Sequence, residues 1–161
     1  MSKIASCLWF DGQAEQAAEF YVSVFRACGQ DAAIKDALRC GDAGPRPKGS
    51  TLTVTFTLAD HEFIALNGGP NYKFSPAISM FVKCADQAEV DAFWERLTNG
   101  GEPVQCGWLT DRFGVSWQIV PIALMDMMSD PDPARAARVM AAMMKMVKLD
   151  IRILRKAYED G

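Results

Sequence analysis

At 161 residues, half of them hydrophobic and 23% charged, the chain has the length of one ordinary domain and enough apolar content for a sizeable core. That composition excludes disorder, collagen-like repeats and disulfide scaffolds, and no apolar run approaches the roughly 20 residues of a membrane span. The net charge of −3 gives no pull toward nucleic acid, and the five cysteines (Cys7, Cys28, Cys40, Cys84, Cys106) are odd in number and form no CxxC, so a reduced, cytoplasmic domain is expected.

Residues 1–10 are too short for a signal peptide and lack a cleavage-like segment. Ile4 to Phe10 reads as a strand ended by Asp11-Gly12. Ala14, Ala17, Ala18, Tyr21, Val22 and Phe25 then recur at helical spacing, with Asp11 as the expected N-cap and Gly29 as the stop. Ile34 to Cys40 is a weakly patterned strand, and Gly41 to Gly49 a mobile loop. From Ser50 to Leu58, Leu52, Val54, Phe56 and Leu58 alternate with threonines, the period of a strand with one buried face. A turn at Ala59-Asp60-His61-Glu62 returns the chain into a strand at Phe63 to Leu66.

Asn67 to Pro76, rich in Gly and Pro, is the best internal boundary, and the pattern restarts after it. Ala77 to Cys84 reads as a strand. Asp86 with Glu89 opens a helix carrying Val90, Phe93, Trp94 and Leu97, closed by Asn99-Gly100-Gly101. Gln105 to Leu109 and Val115 to Val120 are strands around a turn at Asp111 to Gly114. Displacing the first module by 73 residues lays Phe20 and Tyr21 on Phe93 and Trp94, a repeat of pattern rather than of sequence.

The tail is different in character. Asp132-Pro133 starts a helix with Met140, Met143, Met144 and Val147 at i, i+3, i+4 and i+7, and Asp150 caps a last helix with Ile151, Leu154 and Tyr158. Residues 133–161 carry a net charge of +4 and the rest −7, which suggests docking on the chain's own body or on a partner. The methionine stripe reads as core or dimer contact. The stripe of Lys145, Lys148, Arg152 and Arg155 reads as a solvated helix back rather than a nucleic-acid surface.

Few residues announce chemistry. The one histidine, His61, cannot build a first-row metal site alone and reads as a solvated turn residue. No G-x-S-x-G elbow, P-loop or dinucleotide fingerprint occurs. Cys106 reads as a buried small hydrophobe rather than a nucleophile. Trp9 and Trp108 suit either a core or the aromatic wall of a ligand pocket, whereas Trp117 reads as core.

The run from Gln105 through Cys106-Gly107-Trp108, Asp111-Arg112-Phe113-Gly114 and Trp117-Gln118 to Pro121 resembles the PhnB-like branch of the glyoxalase/bleomycin-resistance/dioxygenase (vicinal oxygen chelate) superfamily. Members often carry the label 3-demethylubiquinone-9 3-methyltransferase. Leu8 to Gly12 with Phe20-Tyr21, Ala65 to Pro70, and Leu124 through Pro133 with Val139-Met140 look similar to the same branch. The resemblance implies an α+β fold of two βαβββ modules, curved mixed sheets around a cleft, and usually a homodimer. Module one would be residues 1–70, module two 76–121 and the helical tail 122–161, together one glyoxalase-like domain.

In metal-dependent members, His, Glu or Gln ligands sit on the first and last strands of each module. The matching positions are approximately Ser6 or Cys7, Asn67, Ser79 and Gln118, the last within Asp111-x-x-Gly114-x-x-x-Gln118. That quartet holds no carboxylate or imidazole, so no tightly bound catalytic metal is expected. No glycine-rich junction for S-adenosylmethionine is visible either, and no cofactor is expected. The expected function is binding of a small organic molecule in a cleft. Trp9, Phe81 and Trp108 would stack on it, Asn67, Ser79 and Gln118 would hydrogen-bond it, and Asp111 would either frame the site or hold its turn. The alternatives are a metal-dependent lyase, isomerase or dioxygenase using His61 or Glu62, and a non-catalytic drug-sequestering protein. No nucleic-acid or membrane partner is expected.

Overall fold

The computed structural model describes residues 2–160, and the chain divides into two compact units, Met1–Phe74 and Ser75–Gly161. Their division falls inside the Gly/Pro-rich stretch. The first unit runs β1 (Ser6–Phe10), α1 (Ala14–Ala27), β2 (Ala32–Arg39), β3 (Thr51–Leu58), β4 (His61–Asn67). Its sheet has the order β1-β4-β3-β2, with β1 parallel to β4 and the other neighbours antiparallel. The second runs β5 (Met80–Cys84), α2 (Gln87–Thr98), β6 (Glu102–Pro103), β7 (Trp108–Thr110), β8 (Ser116–Pro121), with the order β5-β8-β7-β6 and again one parallel pair, β5 with β8. Each unit is therefore βαβββ, and three helices follow: α3 (Ile122–Met128), α4 (Pro133–Met143) and α5 (Ile151–Glu159). No helix among the described residues is long and apolar enough to cross a membrane.

Alternation sets the faces. In β3, Val54, Phe56 and Leu58 are buried and the intervening threonines half-buried, and α1 turns Ala14, Ala17, Ala18, Tyr21, Val22 and Phe25 inward. Phe56 stacks on Phe63 at 5.2 Å. Ala59 and Asp60, both with positive φ, are the two-residue turn of the β3–β4 hairpin, so His61 is the first residue of β4 and not a turn residue. The outer strand β2 is blunted as an edge by register shifts between Ile34 and Asp36 and between Leu38 and Arg39. Residues 41–49 form no regular element but are pinned where Gly49 N–H donates to the Cys40 carbonyl and Lys48 pairs with Asp42.

Several boundaries differ from the sequence expectation. β1 starts at Ser6, leaving Ile4 79% exposed, and β5 starts at Met80. Gln105 to Gly107 is a turn: Cys106 and Gly107 both have positive φ, which an extended strand does not accommodate. Asp11 does not cap α1. Gln13 stands at the cap without a side-chain bond, and Asn67 Oδ1 accepts from Ala14 N–H at 2.9 Å in its place.

The tail packs on the second unit. Val120, Leu124, Met127, Val139, Met146, Leu149 and Leu154 make one buried cluster. Cys106 and Gly107 N–H groups donate to the carbonyls of Met146 and Val147, at 2.8 and 2.7 Å. A Cβ on Gly107 would stand 2.9 Å from Leu149, so only glycine allows that approach. Of the methionine stripe only Met143 packs against this cluster, half-buried, while Met140, Met144 and Val147 are exposed, because the helix ends at Met143 and the inward positions fall to Val139, Met146 and Leu149. Cys106 is only half-buried, with its Sγ 3.8 Å from Met144 Sδ.

Candidate functional site

In the second sheet, Leu109, Trp117, Ile119 and Cys84 are buried on the side where α2 packs with Val90, Phe93 and Leu97. Strand alternation sends Phe81, Gln118 and Trp108 to the other side. The register puts them in one row across three strands, with Phe81 beside Gln118 and Gln118 beside Trp108. Phe81 is 45% exposed, and the Gln118 and Trp108 side chains are half-buried. Gln118 Nε2 donates to Ser79 Oγ at 3.0 Å, which fixes the amide plane. Four of the seven residues expected from the sequence are thus brought together, two aromatic and two neutral polar.

Trp9 belongs to the first sheet. It lies opposite Leu66, on the side away from the buried Leu8 and Phe10, and its indole N–H donates to the Gly69 carbonyl at 2.8 Å. The ring covers Gly68, where a Cβ would be 2.4 Å from it, and meets Tyr72 edge-on at 4.8 Å. Ile64 and Leu66 share that side by register, and neither was foreseen. Their signal is the unbroken apolar run Phe63-Ile64-Ala65-Leu66, which marks a strand contacted on both faces.

Two expected ligand residues have their polar atoms engaged inside their own units. Asn67 lies opposite Phe10, on the helix side of the first sheet, and is 3% exposed. Besides accepting from Ala14, its Nδ2 donates to the Thr51 carbonyl at 3.0 Å, so it clamps α1 to β3. Asp111, 3% exposed, accepts from Phe113 N–H and Val115 N–H at Oδ1 and from Trp117 Nε1 at Oδ2, at 2.8, 3.1 and 2.8 Å. That is the turn-holding alternative. Trp117 is core, as expected.

The positions matching the superfamily's metal ligands do not suit a first-row metal. Ser6 Oγ is 3.0 Å from His61 Nε2, Ser79 bonds Gln118, and Asn67 is engaged within the core. Cys7 lies at the surface of its sheet, yet neighbouring groups desolvate it enough to push its thiol upward, which keeps it a protonated, poor ligand at neutral pH. Among the described residues no three His, Cys, Asp or Glu side chains converge. Hydroxyl and amide oxygens bind such ions weakly, and the single imidazole beside Ser6, that of His61, lacks among the described residues the further nitrogen or carboxylate ligands that would complete a site.

A family model described as 3-demethylubiquinone-9 3-methyltransferase matches residues 2–120. The likeness read in the tail lies beyond that span. A PhnB protein from Bacillus cereus superposes with a TM-score of 0.66 and 32% identity, over 74% of this chain and 99% of that one. A Pseudomonas aeruginosa protein does so with a TM-score of 0.61 and 20% identity, over 75% and 98%. No curated protein matches the chain.

Proposed function

Because the chain belongs to the 3-demethylubiquinone-9 3-methyltransferase family and has its paired βαβββ fold, we propose that it binds a small organic molecule without a catalytic metal, against the Phe81–Gln118–Trp108 face. The observation that carries this reading is that row, with the Gln118 amide oriented by Ser79. Neighbouring strands are about 4.8 Å apart, so the two rings flank the amide across about 10 Å. A flat ligand of that width has aromatic surface at both ends and a neutral hydrogen-bonding group in the middle. Its recognition would rest on stacking and one oriented amide rather than on charge. Trp9 supplies the corresponding aromatic surface of the first sheet.

The same reading takes the protein as a cytoplasmic homodimer. Five free cysteines favour a reducing compartment, and light scattering on the full chain tests the dimer. A thermal-shift screen of small aromatic compounds, repeated on Gln118→Ala, tests the binding face. Hits are expected to raise the wild-type Tm and to lose that effect in the variant, whose own Tm stays near wild type. Equal stabilisation of both proteins would refute the assignment of Gln118. About one zinc, nickel, iron or manganese per chain, in protein purified without a histidine tag, would overturn the metal-free part. Turnover of a hit would make the protein an enzyme, and stoichiometric protection a sequestering protein.

A further inference from the structure

Outside the sheet faces, the second unit has a groove of about 600 Å³ between the start of α2 and the side of α5. Its volume is within the range of small-molecule pockets. Most of its wall comes from residues 123–159, beyond the span matched by the family model, so it is not the face considered above.

Charge is what sets the groove apart. Arg152, Arg155 and Lys156 line it from α5, at the i, i+3, i+4 spacing that places them on one helix side. Among the described residues none of the three has an ion pair, whereas Lys148 and Arg135 of the same tail pair with Asp91 and Asp130. Of the acids in the wall, two are helix caps. Asp86 accepts from Glu89 N–H, and Asp150 accepts from the N–H groups of Arg152 and Ile153. Each cap carboxylate also faces the positive end of its helix, equivalent to roughly half a charge. Glu159, a further turn along α5, is the remaining acid. The three cations and three acids cancel in formal charge, so the excess is local: the two helix N-termini add about one positive charge at the end formed by Asp86, Asp150 and Arg152, and the C-terminal end of α5 offsets about half of it beside Glu159.

The groove's frame is held rigidly. Gln87 of α2 accepts from Ile151 N–H at 2.8 Å and donates to the Leu149 carbonyl at 3.0 Å, tying the start of α5 to α2. Ala85, Ala123 and Ile151 add apolar surface beside the cations. We propose that this groove is a second ligand site, for a phosphate monoester with a small organic body. Two guanidinium forks and an ammonium match the several oxygens of a phosphate dianion, whereas one carboxylate would leave donors unused. The apolar wall takes the ester's body. The fixed α2–α5 frame reduces the ordering cost of binding.

The test is a titration of the isotope-labelled full chain with phenyl phosphate, followed by amide NMR shifts, with benzyl alcohol as the uncharged control. Saturable shifts are expected at residues 85–88, 123 and 150–159 with phenyl phosphate and not with benzyl alcohol. Arg155→Gln is expected to weaken binding about tenfold, the loss of one charge-assisted hydrogen bond, and replacing all three cations by Gln to abolish it. Glu159→Gln is expected to tighten binding, a gain that misfolding does not mimic. Absence of saturable shifts, shifts centred elsewhere, or equal affinity in the triple variant would overturn the proposal. The sheet-face variant Gln118→Ala is expected to bind phenyl phosphate like wild type, so the two sites fail or stand separately.

Discussion

Replacing Asp111 by Ala separates a turn-holding carboxylate from a ligand-binding one. The side chain is 3% exposed and accepts three hydrogen bonds, from Phe113 N–H, Val115 N–H and the Trp117 indole. Truncation leaves these donors without their acceptor, and each buried donor left unsatisfied costs about 1–3 kcal/mol. Water entering the vacated space recovers part of that cost, and Phe113 is partly exposed, so the expected loss is about 3–5 kcal/mol. Against a typical stability of about 5–15 kcal/mol this is a large fraction. At about 2–4 °C per kcal/mol for a chain of this size, the Tm falls by about 6–20 °C. Urea unfolding followed by tryptophan fluorescence measures it, since Trp117 itself reports the lost contact. Asp111→Asn keeps an acceptor for the two backbone donors but sets an amide N–H against the indole N–H if it keeps the same orientation, so an intermediate loss is expected. A loss below about 1 kcal/mol for Asp111→Ala, with a large effect on ligand response, would refute the structural role.

Asn67→Ala removes the side-chain cap at Ala14 N–H of α1 and the bond to Thr51, with an expected loss of about 2–3 kcal/mol by urea unfolding. A ligand response that survives in the folded variant would confirm that Asn67 acts on the scaffold. Acid is expected to loosen the tail before the sheets. The Lys148 and Gln87 hydrogen bonds hold the Asp91 carboxyl below its ordinary value, and those from Tyr158 and the Asp132 backbone do the same for Asp130. A carboxylate with a depressed folded pKa contributes stability that is fully present above its unfolded value, near 3.9, and is lost as pH falls through the folded value. Amide protection in α5 should therefore drop at lower pH than about 4 while the β8 amides remain protected. Simultaneous loss in both would contradict this order.

Much of the fold is local and was legible in the sequence. The threonine alternation in β3 announces a one-faced strand, and Asp86, Asp132 and Asp150 each cap the helix that follows, because a cap bonds amides two or three residues away. The signature from Gln105 to Pro121 marked the row that holds Trp108 and Gln118. What spans long separations was not legible there. Asn67 caps a helix that starts at Ala14, and nothing near Asp11 reveals that the local candidate is displaced. Periodicity put Met140, Met143, Met144 and Val147 on one stripe, for the core or a dimer contact, but a stripe does not say which of its members pack inward. The docking of Leu149 against Gly107, with the Cys106 and Gly107 N–H groups bonded to the Met146 and Val147 carbonyls, decided which side of the tail is buried. Composition and spacing determined the elements, their order and the residue types available for recognition. Tertiary pairing decided which polar groups are consumed in holding the scaffold and which, like Gln118, keep hydrogen-bonding capacity to spare, because that depends on partners tens of residues away.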